Sequence, residues 1–167
     1  MDAWTRIADV IASEFSDIQD LEQLTRVLVR LLLAALLGAL LGMEREHAGK
    51  AAGVRTHMLV ATGGALFVLA PLQSGMEPDD LSRVIQGVVA GVGFLCAGTI
   101  LKTRGEDEVH GLTTAAGLWM TAAIGVCAGM GLEATAVVSA LLAFVVLALE
   151  RPFRRMVKRV RDDAKAP

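Results

Sequence analysis

The sequence has few cysteines, almost no charge excess and none of the motifs that mark common enzymes. Its two cysteines, Cys96 and Cys127, lie in separate apolar runs, which excludes a disulfide scaffold and a clustered thiolate metal site. The 16 basic and 18 acidic residues give a formal charge of −2, so no overall field attracts nucleic acid. No phosphate-binding loop, nucleophile elbow or zinc-protease helix is present. We therefore expect no enzymatic activity, no cofactor and no nucleic-acid partner.

Apolar residues are abundant and occur in long runs. They make up 54% of the 167 residues, and the mean hydropathy is +0.54. A helix needs about 20 residues to cross the hydrocarbon layer, and a fifth, shorter run can do so only if Glu133 and Glu150 lie at the two interfaces. Continuous runs of leucine and alanine favour helices over strands. The sequence thus predicts an all-α membrane protein, a bundle of five transmembrane helices at Leu24–Met43, Val54–Leu72, Val84–Leu101, Leu112–Met130 and Ala134–Leu149.

Two flanking segments are predicted to lie outside this bundle domain (24–149). Residues 1–23 are predicted to form an amphipathic helix, because apolar side chains recur at helical spacing at Trp4, Ile7, Ile11, Phe15 and Ile18. This helix would lie on the outer interface, pack on a partner subunit or cap the bundle. Residues 150–167 form a basic cytoplasmic tail, which anionic membrane lipids attract. A cleavable signal peptide is not expected, because the amino terminus has no basic opening.

The distribution of basic residues predicts the orientation. With the amino terminus outside, twelve of the 16 basic residues fall on the inner side, as the positive-inside rule requires. We therefore expect a multi-pass protein of the bacterial inner membrane, with a periplasmic amino terminus and a cytoplasmic carboxyl terminus.

Glycines mark candidate helix contacts. Lipid supplies no hydrophobic drive for helix association, so close backbone packing must supply the attraction. The candidate packing positions are Gly38, Gly42, Gly87, Gly91, Gly93 and Gly98. The third run has the most glycines and is predicted to lie at the centre of the bundle. A homodimer is also expected.

Polar residues gather where the predicted helices meet the inner surface. Helix amino termini there expose unpaired N–H groups and partial positive charge. Such a site suits either an anionic ligand or a carboxylate of the chain. Glu44 is the candidate carboxylate, and it would lock one hairpin to the other. The openings Gly53-Val-Arg-Thr56 and Gly111-Leu-Thr-Thr114 resemble each other, through either an internal repeat or chance. The full candidate cluster is Glu44, Arg45, Arg55, Thr56, His57, Lys102, Thr113 and Thr114.

Four polar or thiol side chains are candidates for positions within the membrane: Arg30, Asp80, Gln86 and Cys96. Arg30 can extend to the interface, pair with an acidic residue such as Asp80, or line a solute path. Gln86 can bond across helices, and the cysteines are interpreted as packing residues. The histidines match no ligand spacing, so no metal site is expected.

Four ordered motifs resemble those of the MgtC/SapB family of bacterial inner-membrane proteins. The first is Arg30-Leu-Leu-Leu-Ala-Ala-Leu-Leu-Gly-Ala-Leu-Leu-Gly-Met-Glu-Arg-Glu46, and the others begin at Ala52, Gly91 and Gly111. Cys96 stands where the family usually has glycine. The resemblance implies a five-helix membrane domain. Family members with an additional carboxyl-terminal domain are linked to growth in low magnesium and to survival inside macrophages, and the resemblance implies the same setting for this chain.

Two functional hypotheses follow. The first is a regulatory membrane protein that contacts another membrane complex through the third helix and the end helices. The second is a small transporter or channel for an ion or solute, whose path would use Arg30, Asp80, Gln86 and the inner polar cluster. Apolar residues at membrane depth favour the first, because ion paths usually contain several ionisable or hydroxyl groups.

Overall fold

The computed structural model describes residues 2–18, 20–77, 79–102 and 109–150, and within them the fold is helical. This confirms the prediction of an all-α bundle preceded by a separate amino-terminal helix. A two-residue antiparallel ladder, β1 with β2, joins the fourth and fifth helices. The elements are α1 (Ala3–Glu14), α2 (Leu21–His47), α3 (Val54–Gln73), α4 (Leu81–Thr99), β1 (Leu101–Lys102), β2 (Val109–His110), α5 (Leu112–Gly129) and α6 (Glu133–Ala148).

Four helices, α2 to α5, are long and apolar enough to cross a membrane. Helices α3 and α5 begin at the predicted residues, and the other ends differ by one to four residues. These differences arise because caps and turns, rather than hydropathy, decide where a helix ends. Asp20, for example, starts α2 early, since its side chain accepts a hydrogen bond from the amide of Gln23 at 2.7 Å, which satisfies one of the free donors at the helix start. Below, "inner end" denotes the bundle end with the carboxyl terminus of α2, and "outer end" the opposite one.

Helix α6 has only 16 residues, and ion pairs hold both of its ends against α2. At the outer end Glu133 lies 3.7 Å from the guanidinium of Arg30, and at the inner end Glu150 lies 2.8 Å from Arg45. The two arginines are about 22 Å apart along α2, and the two glutamates about 25 Å apart along the axis of α6, at 1.5 Å per residue. The short helix therefore extends between charged pairs at opposite ends of the bundle.

The centre of the bundle is α5, which contributes ten buried residues. It packs closely on α3: a Cβ added to Gly125 would lie 2.1 Å from the carbonyl oxygen of Ala61, and one added to Gly129 would lie 2.3 Å from that of Ala65. Helices α2 and α3 also meet closely, at Gly38 and Gly42, where an added Cβ would lie 2.6 Å from the α3 backbone.

The prediction that the third run, now α4, lies at the centre is wrong. Leu81 is its only buried residue, and α4 lies at the edge of the bundle against α5. A Cβ added to any of its four glycines, Gly87, Gly91, Gly93 or Gly98, would have no heavy-atom neighbour within 4 Å. The physical reason is that a glycine allows close packing only where it faces a neighbouring helix. The number of glycines in a run does not determine which way they face.

Helix α1 is shorter than the predicted amphipathic segment. It ends at Glu14 with Phe15 as its cap, so Ile18 lies beyond the helical repeat. The predicted basic tail, 151–167, lies outside the described residues, as do residues 103–108 of the loop between the strands.

Candidate functional site at the inner end of the bundle

Arg45 is the centre of a buried ion-pair network at the inner end. Its side chain is 0% exposed, because the carboxyl-terminal turn of α2 packs against the end of α6. The guanidinium pairs with Glu44, donates to Glu150 at 2.8 Å and donates to the carbonyl oxygen of Leu147 at 2.9 Å. Lys50 donates to the second oxygen of Glu150 at 2.6 Å. This network, Glu44, Arg45, Lys50 and Glu150, joins α2 to the end of α6.

Glu150 is charged over the whole physiological pH range. Burial raises the pKa of its carboxyl group, but the hydrogen bonds from Lys50 and Arg45 and their positive charges outweigh burial and lower that pKa to about 2. A charge-assisted pair of this kind is stronger than a neutral hydrogen bond. The network is therefore a closed arrangement of opposite charges rather than an open acid or base.

The amino terminus of α3 is occupied by a carboxylate of the chain itself. Glu46 accepts a hydrogen bond from the amide of Val54 at 3.0 Å, which fits the partial positive charge of a helix start. The prediction that Glu44 fills this role was wrong, since Glu44 turns to Arg45 instead. Arg55 and Thr56 are exposed, and no ion pair of Arg55 occurs among the described residues.

His57 is completely buried, one turn into α3. Its Nδ1 lies 3.0 Å from the carbonyl oxygen of Gly53, so the Nδ1–H donates there and Nε2 is left as an acceptor. Within the described part of the chain Nε2 has no hydrogen-bond partner, and it faces Gly117 of α5, where an added Cβ would lie 3.7 Å away. An unsatisfied buried acceptor of this kind is uncommon.

The opening of α5 differs from that of α3. Gly111 stands immediately before α5 with a φ of +93°, which favours glycine. A Cβ added there would lie 1.9 Å from the carbonyl oxygen of Thr99, so the position also has no room for a side chain. Thr113 is exposed and Thr114 is buried. Lys102 lies in β1. Within the described ranges, no carboxylate accepts a hydrogen bond at the start of α5 as Glu46 does at the start of α3.

The four membrane-depth candidates lie apart from one another. Arg30 donates to the carbonyl oxygen of Gly129 at 3.2 Å and pairs with Glu133, so an acidic partner is present, but it is not Asp80, which is exposed. Gln86 is exposed on α4. The Sγ of Cys96 donates to the carbonyl oxygen of Ala115 at 3.1 Å, a contact between α4 and α5.

Among the described residues, no group of three or more histidine, cysteine, aspartate or glutamate side chains has the geometry to hold a metal ion. The Nδ1 of His47 lies 2.7 Å from the carbonyl oxygen of Met43, within α2. His47 and His57 thus each bond to a backbone carbonyl of a different residue and do not form a shared site.

A groove of about 560 Å³ opens between α3 and α4. Glycines widen it on both helices, and its walls carry apolar side chains. The lining residues include Gly63, Phe67, Gly87, Val88, Gly91 and Leu95. A surface of this composition suits an apolar occupant such as a helix or an acyl chain rather than a hydrated ion.

Lys50 and Glu150, which belong to the inner network, and Glu46, which caps α3, are not among the candidates predicted from the sequence. Glu150 is separated from Arg45 by 105 positions, so no local pattern joins them. One signal was present: a glutamate at each end of a short apolar run predicts that both carboxylates need partners at the interfaces.

Comparison with known proteins agrees with the motif resemblance. The MgtC family model matches residues 31–156. Protein SrpB of Synechococcus elongatus is 49% identical over 102 residues (54% of this chain, 56% of SrpB). The putative magnesium transporter YhiD of Escherichia coli K12 is 41% identical over 129 residues (70% and 58%), and protein MgtC of Salmonella typhi is 39% identical over 125 residues (75% and 52%). No solved structure matches the chain.

The chain spans little more than half the length of these curated relatives. The family model nevertheless matches most of this sequence, from the middle of α2 through α6. The chain belongs to the MgtC family.

Proposed function

We propose that this protein is a non-enzymatic regulator in the membrane, which acts by binding another membrane complex through helix contacts. The observation that carries the proposal is the apolar groove between α3 and α4, in which Gly63, Gly87 and Gly91 have open space around them. A partner helix gains close backbone contact in such a groove. By family membership and the name of the relative YhiD, magnesium homeostasis is the proposed setting.

The pairing of charges supports regulation over transport. A magnesium path needs oxygen ligands that are free to replace or hold the ion's water molecules. The buried carboxylate of Glu44 and the partly buried one of Glu150 are instead neutralised by Arg45 and Lys50. Arg30 is likewise paired with Glu133. Opening a path through these groups would first require breaking ion pairs within the protein.

The alternative function is transport of a magnesium ion or another solute, which the printed name of YhiD favours. Purified protein in liposomes that enclose a magnesium indicator tests it. The regulatory proposal expects an influx equal to that of empty liposomes. A selective influx that Gln86→Ala or Arg55→Gln abolishes would support transport and overturn the regulatory proposal.

A photoreactive amino acid in place of Val88, inside the groove, tests the partner contact in cells. We expect one reproducible cross-link to a membrane protein, and we expect Gly91→Phe, which fills the groove, to remove it. The matched control is the same amino acid at Val146, an exposed position on α6, where lipid adducts alone are expected. Equal protein cross-links at both positions would contradict a specific groove.

We also propose the predicted orientation in the inner membrane, with α1 periplasmic and residues after Glu150 cytoplasmic. The support is the excess of basic residues that this orientation places inside. Five of the six described turn residues between α3 and α4 are polar or glycine, and Glu77, Asp79 and Asp80 are the charged ones. The short α6 fits this arrangement, because its two terminal glutamates would then lie at opposite interfaces.

The predicted homodimer remains a proposal, and α4 is the helix we assign to it. Ala90, Gly93 and Ala97 are exposed and recur every three or four residues, which permits close approach of a second α4. Cysteine at Ala97 in a chain without native cysteines should form a cross-linked dimer in membranes. Cysteine at Val146 should not, and equal cross-linking at both positions would argue against this interface.

A further inference from the structure

Helix α1 leaves its apolar face exposed. None of its residues is buried, and Trp4 and Phe15 are 80% and 82% exposed. With Ile7 and Ile11 these side chains recur every three or four residues, so they share one face of the helix. Thr5, Asp9 and Ser13 occupy the opposite face. The described part of the bundle therefore leaves this face without a protein partner.

The position of α1 in the chain restricts what can cover this face. Only six residues separate Glu14, the end of α1, from Leu21, the start of the first span α2. Such a connection reaches at most about 25 Å, so α1 stays beside the point where α2 enters the membrane. At 12 residues α1 is about 18 Å long, too short to cross the hydrocarbon layer itself.

We propose that α1 lies parallel to the membrane surface at the outer end of the bundle. The face formed by Trp4, Ile7, Ile11 and Phe15 is inserted among lipids. This inference does not depend on the proposed function. Tryptophan is enriched at the level of lipid headgroups, and a short helix with one apolar face binds there parallel to the surface.

Charge favours lipid over a second copy of α1. Residues 2–18 contain four acidic residues and one basic residue, Arg6. Two copies of this segment carry net charge of the same sign, so a second α1 packed on the first would be repelled by it. A surface of zwitterionic lipid has no such conflict, whereas anionic lipid would repel the segment. The occupant that fits is therefore a zwitterionic lipid surface.

The two tryptophans of the chain make the proposal measurable. Trp4 lies in α1 and Trp119 lies near the middle of α5. Trp119→Phe leaves Trp4 as the only fluorophore, and Trp4→Phe leaves Trp119 as an internal reference at membrane depth. Each full-length variant is reconstituted in phosphatidylcholine vesicles that carry bromine, a quencher, either near the headgroup or near the end of the acyl chain.

We expect Trp4 to lose more emission with the shallow bromine and Trp119 to lose more with the deep bromine. Substitution of both Ile7 and Ile11 by asparagine should shift Trp4 emission to the red and remove its quenching. Asp9→Asn, on the polar face, should leave both unchanged and is the matched control.

Three results would overturn the proposal. Red-shifted Trp4 emission without bromine quenching in the unaltered α1 would place the helix in water. Blue-shifted emission without bromine quenching would place its apolar face against protein, either the bundle or a second copy. Deep quenching of Trp4, equal to that of Trp119, would contradict a position parallel to the surface.

Discussion

Replacement of Arg45 by alanine should destabilise the bundle far more than the loss of any other arginine on α2. The guanidinium is 0% exposed and binds Glu44, Glu150 and the carbonyl oxygen of Leu147. Removal of one partner from a buried ion pair costs about 3–5 kcal/mol, because it leaves a buried charge without compensation. Lys50 would still neutralise Glu150, so Glu44 is the charge left alone, and we expect the lower part of that range.

The matched control is Arg26→Ala on the same helix. Arg26 also pairs with a glutamate, Glu22, but its side chain is 64% exposed. Exposed pairs contribute about 0–1 kcal/mol, so this variant should unfold almost as the unaltered protein does. A second comparison, Arg45→Met with Glu44→Gln, removes both charges and should recover part of the loss, since buried charges replaced together by well-packed neutral groups are often tolerated.

The assay is reversible unfolding in mixed micelles, with increasing dodecyl sulfate in a mild detergent and Trp119 fluorescence as the signal in a Trp4→Phe background. The free energy of unfolding of Arg45→Ala should fall by about 3 kcal/mol relative to Arg26→Ala. Equal free energies of unfolding for the two variants would refute the claim that α2 and α6 are joined by a buried charge network.

Further predictions concern packing and pH. Gly125→Ala should lower the free energy of unfolding by about 1–3 kcal/mol, because the added Cβ would lie 2.1 Å from a carbonyl oxygen of α3. Gly91→Ala, with open space around it, should leave the free energy of unfolding of the monomer unchanged. Equal effects of the two substitutions would contradict the packing described. The depressed pKa of Glu150, about 2, means that its stabilising contribution is fully present above the ordinary carboxyl pKa of 4.5. That contribution should decline as pH falls from there through 2, so acid unfolding of Glu150→Gln should depend less on pH in this window; an unchanged dependence would contradict the pairing.

Much of the fold follows from hydropathy alone. Long apolar runs specify where helices cross a membrane, and all five predicted segments are helices with nearly the same bounds. Hydropathy does not specify how each helix is rotated or which neighbours it meets. For that reason α4, the run with the most glycines, was placed at the centre, although α5 has the glycines that face a partner backbone.

The sequence does not specify which side chains at the inner end pair with one another. Glu44, Arg45, Arg55 and His57 all lie near the inner end, as their positions at helix boundaries indicate. Which arginine is buried depends on helix rotation and on the end of α6, and the sequence contains no local signal for either. Glu150 contacts Arg45 across 105 positions, a contact that arises only when α2 and α6 pack together.

The central claim is that the helices cross the membrane in alternate directions, with the α2–α3 turn inside and the α3–α4 turn outside. Cysteine at Ala51 and cysteine at Ser74, both exposed turn positions, test it in a Cys96→Ser, Cys127→Ser chain. In intact bacterial cells a thiol reagent that cannot cross the inner membrane should modify the cysteine at 74, and should modify that at 51 only after the membrane is permeabilised. Modification of both in intact cells, or of position 51 alone, would contradict the account.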